Sequence, residues 1–168
     1  FRQAQESMIV VNAHRINRGE YPDCNVKEKD FFLLRQQNEK EVVATIKDLN
    51  LRRLPNFYQS DAVRDIQVMT PVRKGMLGTH QLNEELQQVL NPPSPEKREK
   101  KHGDRIFREG DKIMQIKNNY QLSYRRTDTM QEGEGVFNGD VGFIQSIDDE
   151  NGQLYALFDD NKYVAYEF

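Results

Sequence analysis

The order of apolar and polar positions changes once along this chain, and the change divides it. Between Gln5 and Arg18, apolar residues fall at Ile9, Ala13 and Ile16, the spacing of one helix face, and Gly19 follows as a stop. Phe31–Leu34 is a short unbroken apolar run, the pattern of a strand covered on both faces. Asn38 stands three residues ahead of Glu41 as an N-cap with its capping-box partner. Val42, Ile46 and Leu49 then mark a helix that should end near Pro55. Ile66–Met69 predicts a second strand, stopped by Thr70-Pro71, and Leu82, Leu86 and Val89 predict a third helix, halted by Asn91-Pro92-Pro93. Helix, strand, helix, strand, helix is the rhythm of a parallel sheet with helical crossovers.

Beyond Pro92 the rhythm is lost and then returns with a period of two. Residues 92–105 (PPSPEKREKKHGDR) show no apolar periodicity and read as a linker. Ile113–Ile116, Gly142–Ile147, Leu154–Phe158 and Tyr163–Phe168 read as short strands. Asn138-Gly139, Asn151-Gly152 and Asp159–Asn161 supply turn chemistry between or beside them. So many short strands within about sixty residues bury little as an open sheet, which favours a small closed barrel. The polar stretch YQLSYRRTDTMQEGEG, from Tyr120 to Gly135, reads as a long loop, and Phe137, Asn138 and Gly139 as a structural turn. The division expected is an α/β unit over 1–95, a linker over 96–105 and a β-barrel over 106–168.

With 168 residues, 36% of them hydrophobic, the chain can build one ordinary domain or two small ones. No apolar run reaches membrane-spanning length, and the N-terminus lacks a signal-peptide pattern. The single cysteine, Cys24, cannot form an internal disulfide, which points to a reducing, cytoplasmic setting and a structural thiol. The chain starts at Phe1 without an initiator methionine, inside a helical pattern, and is expected to be a piece of something longer. The net charge of −3 hides an asymmetry: +1 for residues 1–95, +5 for 96–126 and −9 for 127–168. An acidic balance therefore does not exclude nucleic acid, although a basic stretch of this kind can equally be a solvated loop.

Candidate chemistry is sparse. The sequence has no G-x-x-x-x-G-K-[ST] phosphate loop, H-E-x-x-H, cysteine cluster or G-x-S-x-G. His14, His80 and His102 lack metal-ligand spacing, and Asp148-Asp149-Glu150 reads as a solvated turn. No metal site is expected, and nothing here runs a reaction unaided. Thr70, Arg73, Lys74 and Gly75 sit where a predicted strand empties into a turn, the ligand edge of an open α/β sheet. A hydroxyl, exposed amides and two cations there suit a DNA phosphate, and a tight turn with solvated cations is the equal alternative.

The phrases FRQAQES and IVVNAHRINRG, then DIQVMTPVRKGMLGTHQLNEELQQVLNP, then FREGDKIMQIKNNY and VFNGDVGFI, resemble in order and spacing the RecD-like superfamily 1 DNA helicases, the family of the exodeoxyribonuclease V alpha subunit. The resemblance implies part of a second RecA-like motor domain joined to an inserted SH3-like barrel. It implies ATP and Mg2+ in the full-length parent, with none bound tightly by this piece, because the phosphate loop belongs to the first motor domain. By the same resemblance Arg2 is the trans-acting arginine that meets the γ-phosphate, with Gln3 orienting it, where a fixed guanidinium stabilises the charge of the transition state. The ordinary reading of Arg2 is a helix-start arginine in a salt bridge. The resemblance also places the barrel beside a single-stranded DNA path. That makes Lys112, Lys117, Asn118, Asn119 and Tyr120 candidates for phosphate and base-stacking contacts. The implied partners are single-stranded DNA, the first motor domain of the same parent and other recombination-nuclease subunits, and the implied movement is 5′ to 3′. The competing reading is a non-enzymatic nucleic-acid-binding or protein-interaction module built on the barrel. The incomplete sheet should leave apolar surface exposed.

Overall fold

The computed structural model describes residues 7–25 and 30–168, which fall into two compact units parted between Asn38 and Glu39. Arg2 and Gln3 lie outside the described residues. In the first unit, helix α1 spans Met8–Asn17. It starts because the Ser7 hydroxyl accepts from the Ile9 N–H while donating to Asp30, whose other oxygen accepts from the Met8 N–H at 2.8 Å. These hydrogen bonds, that from Ser7 foremost, hold the Asp30 carboxyl below its ordinary pKa. Buried Asn12 donates to the Asp23 carbonyl and accepts from the Asp23 N–H, at 2.9 and 2.7 Å, folding the following segment back on the helix.

The second unit opens with a helix that runs past its predicted end. Helix α2 (Glu39–Asp48) passes through a π-helical turn, Leu49–Arg53, into α3 (Leu54–Tyr58). Pro55 is the physical reason: a proline inside a helix has no N–H to donate and crowds the carbonyl four residues back. The chain answers with one wider turn, in which the Leu54 N–H reaches the Leu49 carbonyl, and the helix ends at Gln59 in a left-handed conformation. Helix α4 (Thr79–Leu90) matches the third predicted stripe and packs on α2, with Lys47 and Glu85 paired at 2.7 Å.

The parallel sheet expected around Phe31–Leu34 and Ile66–Met69 is not seen. Neither segment pairs with a strand, and every ladder among the described residues is antiparallel. A strand apolar on both faces needs neighbours for its backbone and cover for its side chains. Here Phe32, Leu33 and Leu34 are about half exposed and Met69 is 88% exposed.

The β region is richer than the sequence suggests. The stretch expected as a linker folds into a hairpin of β1 (Glu99–His102) and β2 (Arg105–Arg108). The polar stretch expected as a loop is a second hairpin, β4 (Asn119–Arg126) with β5 (Glu132–Val136). With β3 (Lys112–Met114), β6 (Val141–Asp148), β7 (Gln153–Phe158) and β8 (Lys162–Glu167) they form a six-stranded sheet, ordered β3-β6-β7-β8-β4-β5. Its core is Val136, Ile144, Ile147, Leu154, Ala156, Phe158 and Val164. Ile144 and Ile147 are three apart, which strict alternation forbids on one face. A bulge between Ile144 and Ser146 absorbs the extra residue and turns both inward.

A half-buried polar clasp joins α4 to this sheet. Asp111 accepts from the side chains of Gln87 (2.6 Å) and Asn91 (2.7 Å) and from the Arg108 N–H (2.8 Å). Arg108, only 2% exposed, pairs with Glu99 at 2.5 Å and donates to the Asn91 carbonyl. Burial raises the Asp111 pKa, so protonation favours the folded form; this group's contribution improves as pH falls through its raised value and levels off below the unfolded one. Asp111→Ala would leave three donors without their acceptor and should lower stability by about 1–3 kcal/mol. Urea unfolding checks this, and an unchanged midpoint would show that the clasp contributes nothing.

Candidate nucleic-acid interface

Two surfaces of the second unit gather the residues singled out from sequence. The first is an open cleft of about 1080 Å³ between α2, α4 and the turn that precedes α4. Lys40, Lys47, Arg73, Lys74, His80 and Gln81 are among its lining residues. The turn is held from within: the Thr70 hydroxyl donates to the Leu77 carbonyl at 2.7 Å, and the Thr79 N–H reaches the Val72 carbonyl at 3.1 Å. Gly78 allows this closure, because a Cβ there would lie 2.6 Å from the Arg73 backbone. Gly78 is also the N-cap of α4 and has no side chain to satisfy the first-turn amides, so the helix offers its positive end beside two cations. The hydrogen bond from Lys47 lowers the Glu85 pKa, and that lysine charge is largely matched. Lys40, Arg73 and Lys74 enter no ion pair among the described residues, which leaves the cleft cationic.

The second surface is on the barrel. Tyr120 is 67% exposed and meets the ring of Phe137 edge to face, with centroids 5.7 Å apart. Asn118 ties the pair together: its amide donates to the Tyr120 hydroxyl at 3.1 Å, and its oxygen accepts from the Asn138 N–H at 2.9 Å. Beneath, the Tyr166 hydroxyl donates to Gln115, which in turn donates to the Lys117 carbonyl. Burial, with nearby Asp140, pushes the Tyr166 pKa up to about 12, so this hydroxyl keeps its proton across the working pH range. Lys162, nearly buried, sits 5.4 Å from the Phe137 centroid and pairs with Asp160 at 2.7 Å. The result is an exposed aromatic edge flanked by Lys117, Asn118 and Asn119, the components of a base-stacking platform.

The predicted residues thus form two groups, the Arg73–Gly75 turn and the 117–120 segment. Lys112 belongs to neither: its ammonium donates to the Arg64 and Ile66 carbonyls at 3.2 Å each. The hydroxyl hydrogen of Thr70 is likewise occupied in shaping the turn. Phe137 does sit at the structural turn expected there, and it also completes the platform. Lys40 escaped sequence reading because it stands in a different element, more than thirty residues from Arg73.

Residues 82–158 match the SH3 domain of ATP-dependent RecD-like DNA helicases, a span that takes in most of α4 and the strands from β1 to β7. The chain is similar to the RecD-like DNA helicases. It is 30% identical over 165 residues to the ATP-dependent RecD2 DNA helicase of Deinococcus radiodurans, which covers 96% of this chain and 19% of that protein. Among the described residues of this RecD-like chain, no group of three or more His, Cys, Asp or Glu side chains could hold a metal ion, and no helix is long and apolar enough to cross a membrane. The geometry makes one feature of the basic turn testable. Gly78→Ala should force the 73–78 turn open, shifting the Arg73 and Lys74 amide resonances and costing about 1–3 kcal/mol of stability. Unchanged resonances would mean that the close approach at Gly78 does not shape the turn.

Proposed function

We propose that this chain is part of an ATP-dependent DNA helicase of the exodeoxyribonuclease V alpha subunit type, moving 5′ to 3′ on single-stranded DNA. It would contribute to the second RecA-like motor domain and carry the inserted barrel. The observation that carries the reading is the basic turn. Arg73 and Lys74 are held beside a helix start that has no side-chain cap, with Lys40 across the cleft, where a DNA phosphate would find cations beside the positive end of the helix. The Tyr120–Phe137 edge would stack a base of the same strand, and the acidic remainder of the barrel would lie away from DNA.

ATP and Mg2+ would be held by the first motor domain, since this sequence contains no phosphate loop and no gathered magnesium ligands among its described residues. Arg2 would supply the guanidinium that neutralises charge on the γ-phosphoryl oxygens, with Gln3 beside it. Other subunits of a recombination nuclease would be partners of the intact motor. A barrel that acts only as a binding module is the second reading, favoured by the dense core of that half of the chain.

Two measurements separate these readings. For the chain itself, single-stranded oligonucleotide affinity should fall with salt, and Arg73→Ala or Lys74→Ala should each reduce the slope by about 0.7. Flat salt dependence, or slopes that neither substitution moves, would remove the basic turn from the DNA path. In the intact motor, Arg2→Ala should lower ATP turnover by about three to five orders of magnitude while single-strand binding persists. Undiminished turnover would refute the role of Arg2.

A further inference from the structure

The outward face of the strands β5-β4-β8-β7 has a character opposite to both surfaces above. Directly paired residues share a face, so the register builds two rows across the sheet. One runs Glu132, Arg125, Tyr163, through the pairs Arg125–Glu132 and Arg125–Tyr163. The other contains Glu134 with Ser123, and Ala165 with Tyr155. The Tyr155 and Tyr163 rings stack nearly parallel, 13° apart in plane, with centroids 5.7 Å apart. Tyr124 lies beneath, against Gly133, where a Cβ would come within 2.6 Å of the tyrosine hydroxyl. The curl of the sheet makes this face a shallow groove of about 540 Å³. Glu167, paired in register with Gln153, extends the same face beyond Ala165 and Tyr155.

Three carboxylates, Glu132, Glu134 and Glu167, therefore face solvent on this surface with a single cation, Arg125. None of the three enters a salt bridge among the described residues. Their charge repels phosphates, so the groove suits a different occupant from the basic cleft. We propose that it is a docking site for an extended, basic segment of a partner protein. Arginine or lysine stems would lie over the Tyr155–Tyr163 stack and their charged ends would reach Glu132, Glu134 and Glu167, the paired attractions that an aromatic floor with an acidic rim offers a long cationic side chain. This inference does not depend on the helicase reading.

The test uses the whole chain and a fluorescein-labelled peptide of four Arg-Ala repeats, with a Glu-Ala peptide and a 15-nucleotide oligothymidine as comparisons. The basic peptide should bind and shift the amide resonances of Ser123, Arg125, Tyr155, Tyr163 and Ala165. Glu132→Gln with Glu134→Gln should weaken it by about five- to tenfold, and Tyr163→Ala by about threefold. Glu132→Lys with Glu134→Lys should invert the preference toward the acidic peptide. Asp104→Asn with Glu150→Gln, on turns outside the groove, should leave the affinity unchanged. Peptide-induced shifts confined to Asp148–Glu150 or Asp159–Asp160 would overturn the proposal, as would affinity indifferent to the charge at 132 and 134. So would oligothymidine shifting the groove resonances, which would make this face a DNA surface instead.

Discussion

The arrangement of the second unit depends on one half-buried carboxylate. Asp111 sits at the start of β3, yet two of its three donors come from the end of α4, and Gln87 also reaches the Ile106 carbonyl at 2.9 Å. Asn91 is both donor and acceptor there, taking Lys97 at 2.5 Å while giving to the Glu109 carbonyl at 3.1 Å. Removing such a network from water is costly unless every member is satisfied, and no buried side-chain polar atom among the described residues lacks a partner. A satisfied buried network fixes geometry more than it adds stability. Here it ties the end of α4 to the segment that enters β3.

That rigidity bears on function because α4 carries the basic turn at one end and the clasp at the other. The match to the RecD-like SH3 domain begins inside α4, well before the first barrel strand, which suggests that helix and barrel act as one piece. Any movement of the cationic turn would then be passed to the barrel as rotation instead of being lost in a linker. Residues 92–105 could not serve as a flexible tether, since Arg98 is bound to the Ile147 carbonyl at 3.0 Å and Glu109 accepts both the Arg98 and Ile147 amides.

Much of this was legible in the sequence, and the failures have physical causes. Three helices and the late strands declared themselves through periodicity, because each has one face against a core. The hairpins β1-β2 and β4-β5 did not: EKKH, RIFR and NYQLSYRR carry charge on both faces, and their pairing comes from neighbours instead of their own pattern. Phe31–Leu34 and Ile66–Met69 failed in the opposite direction. Their composition asks for a sheet interior, and without paired strands on either side Phe32, Leu33, Leu34 and Met69 stay exposed. At the candidate interface, the Arg73–Lys74 turn was readable from its glycines and cations, but its shape rests on Thr70, whose hydroxyl turned out to be a bolt within the loop. Lys112 shows the limit of reading cations as DNA contacts, since a lysine near a basic stretch can spend its charge on carbonyl oxygens.

Two faces of the barrel share a support that no sequence pattern would reveal. Lys162 is nearly buried, 5.0 Å from the Tyr124 ring on one side and 5.4 Å from Phe137 on the other, with Asp160 and Asp140 at 2.7 and 3.9 Å. A lysine is tolerated in that position only because carboxylates and ring faces replace its water. Tyr124 lies under the acidic groove and Phe137 forms half of the exposed platform, so one ammonium steadies a ring belonging to each. Displacing Phe137 would also loosen the packing of Lys162, and through it Tyr124. The chemistry of the two faces differs, but their geometry is linked by a single side chain.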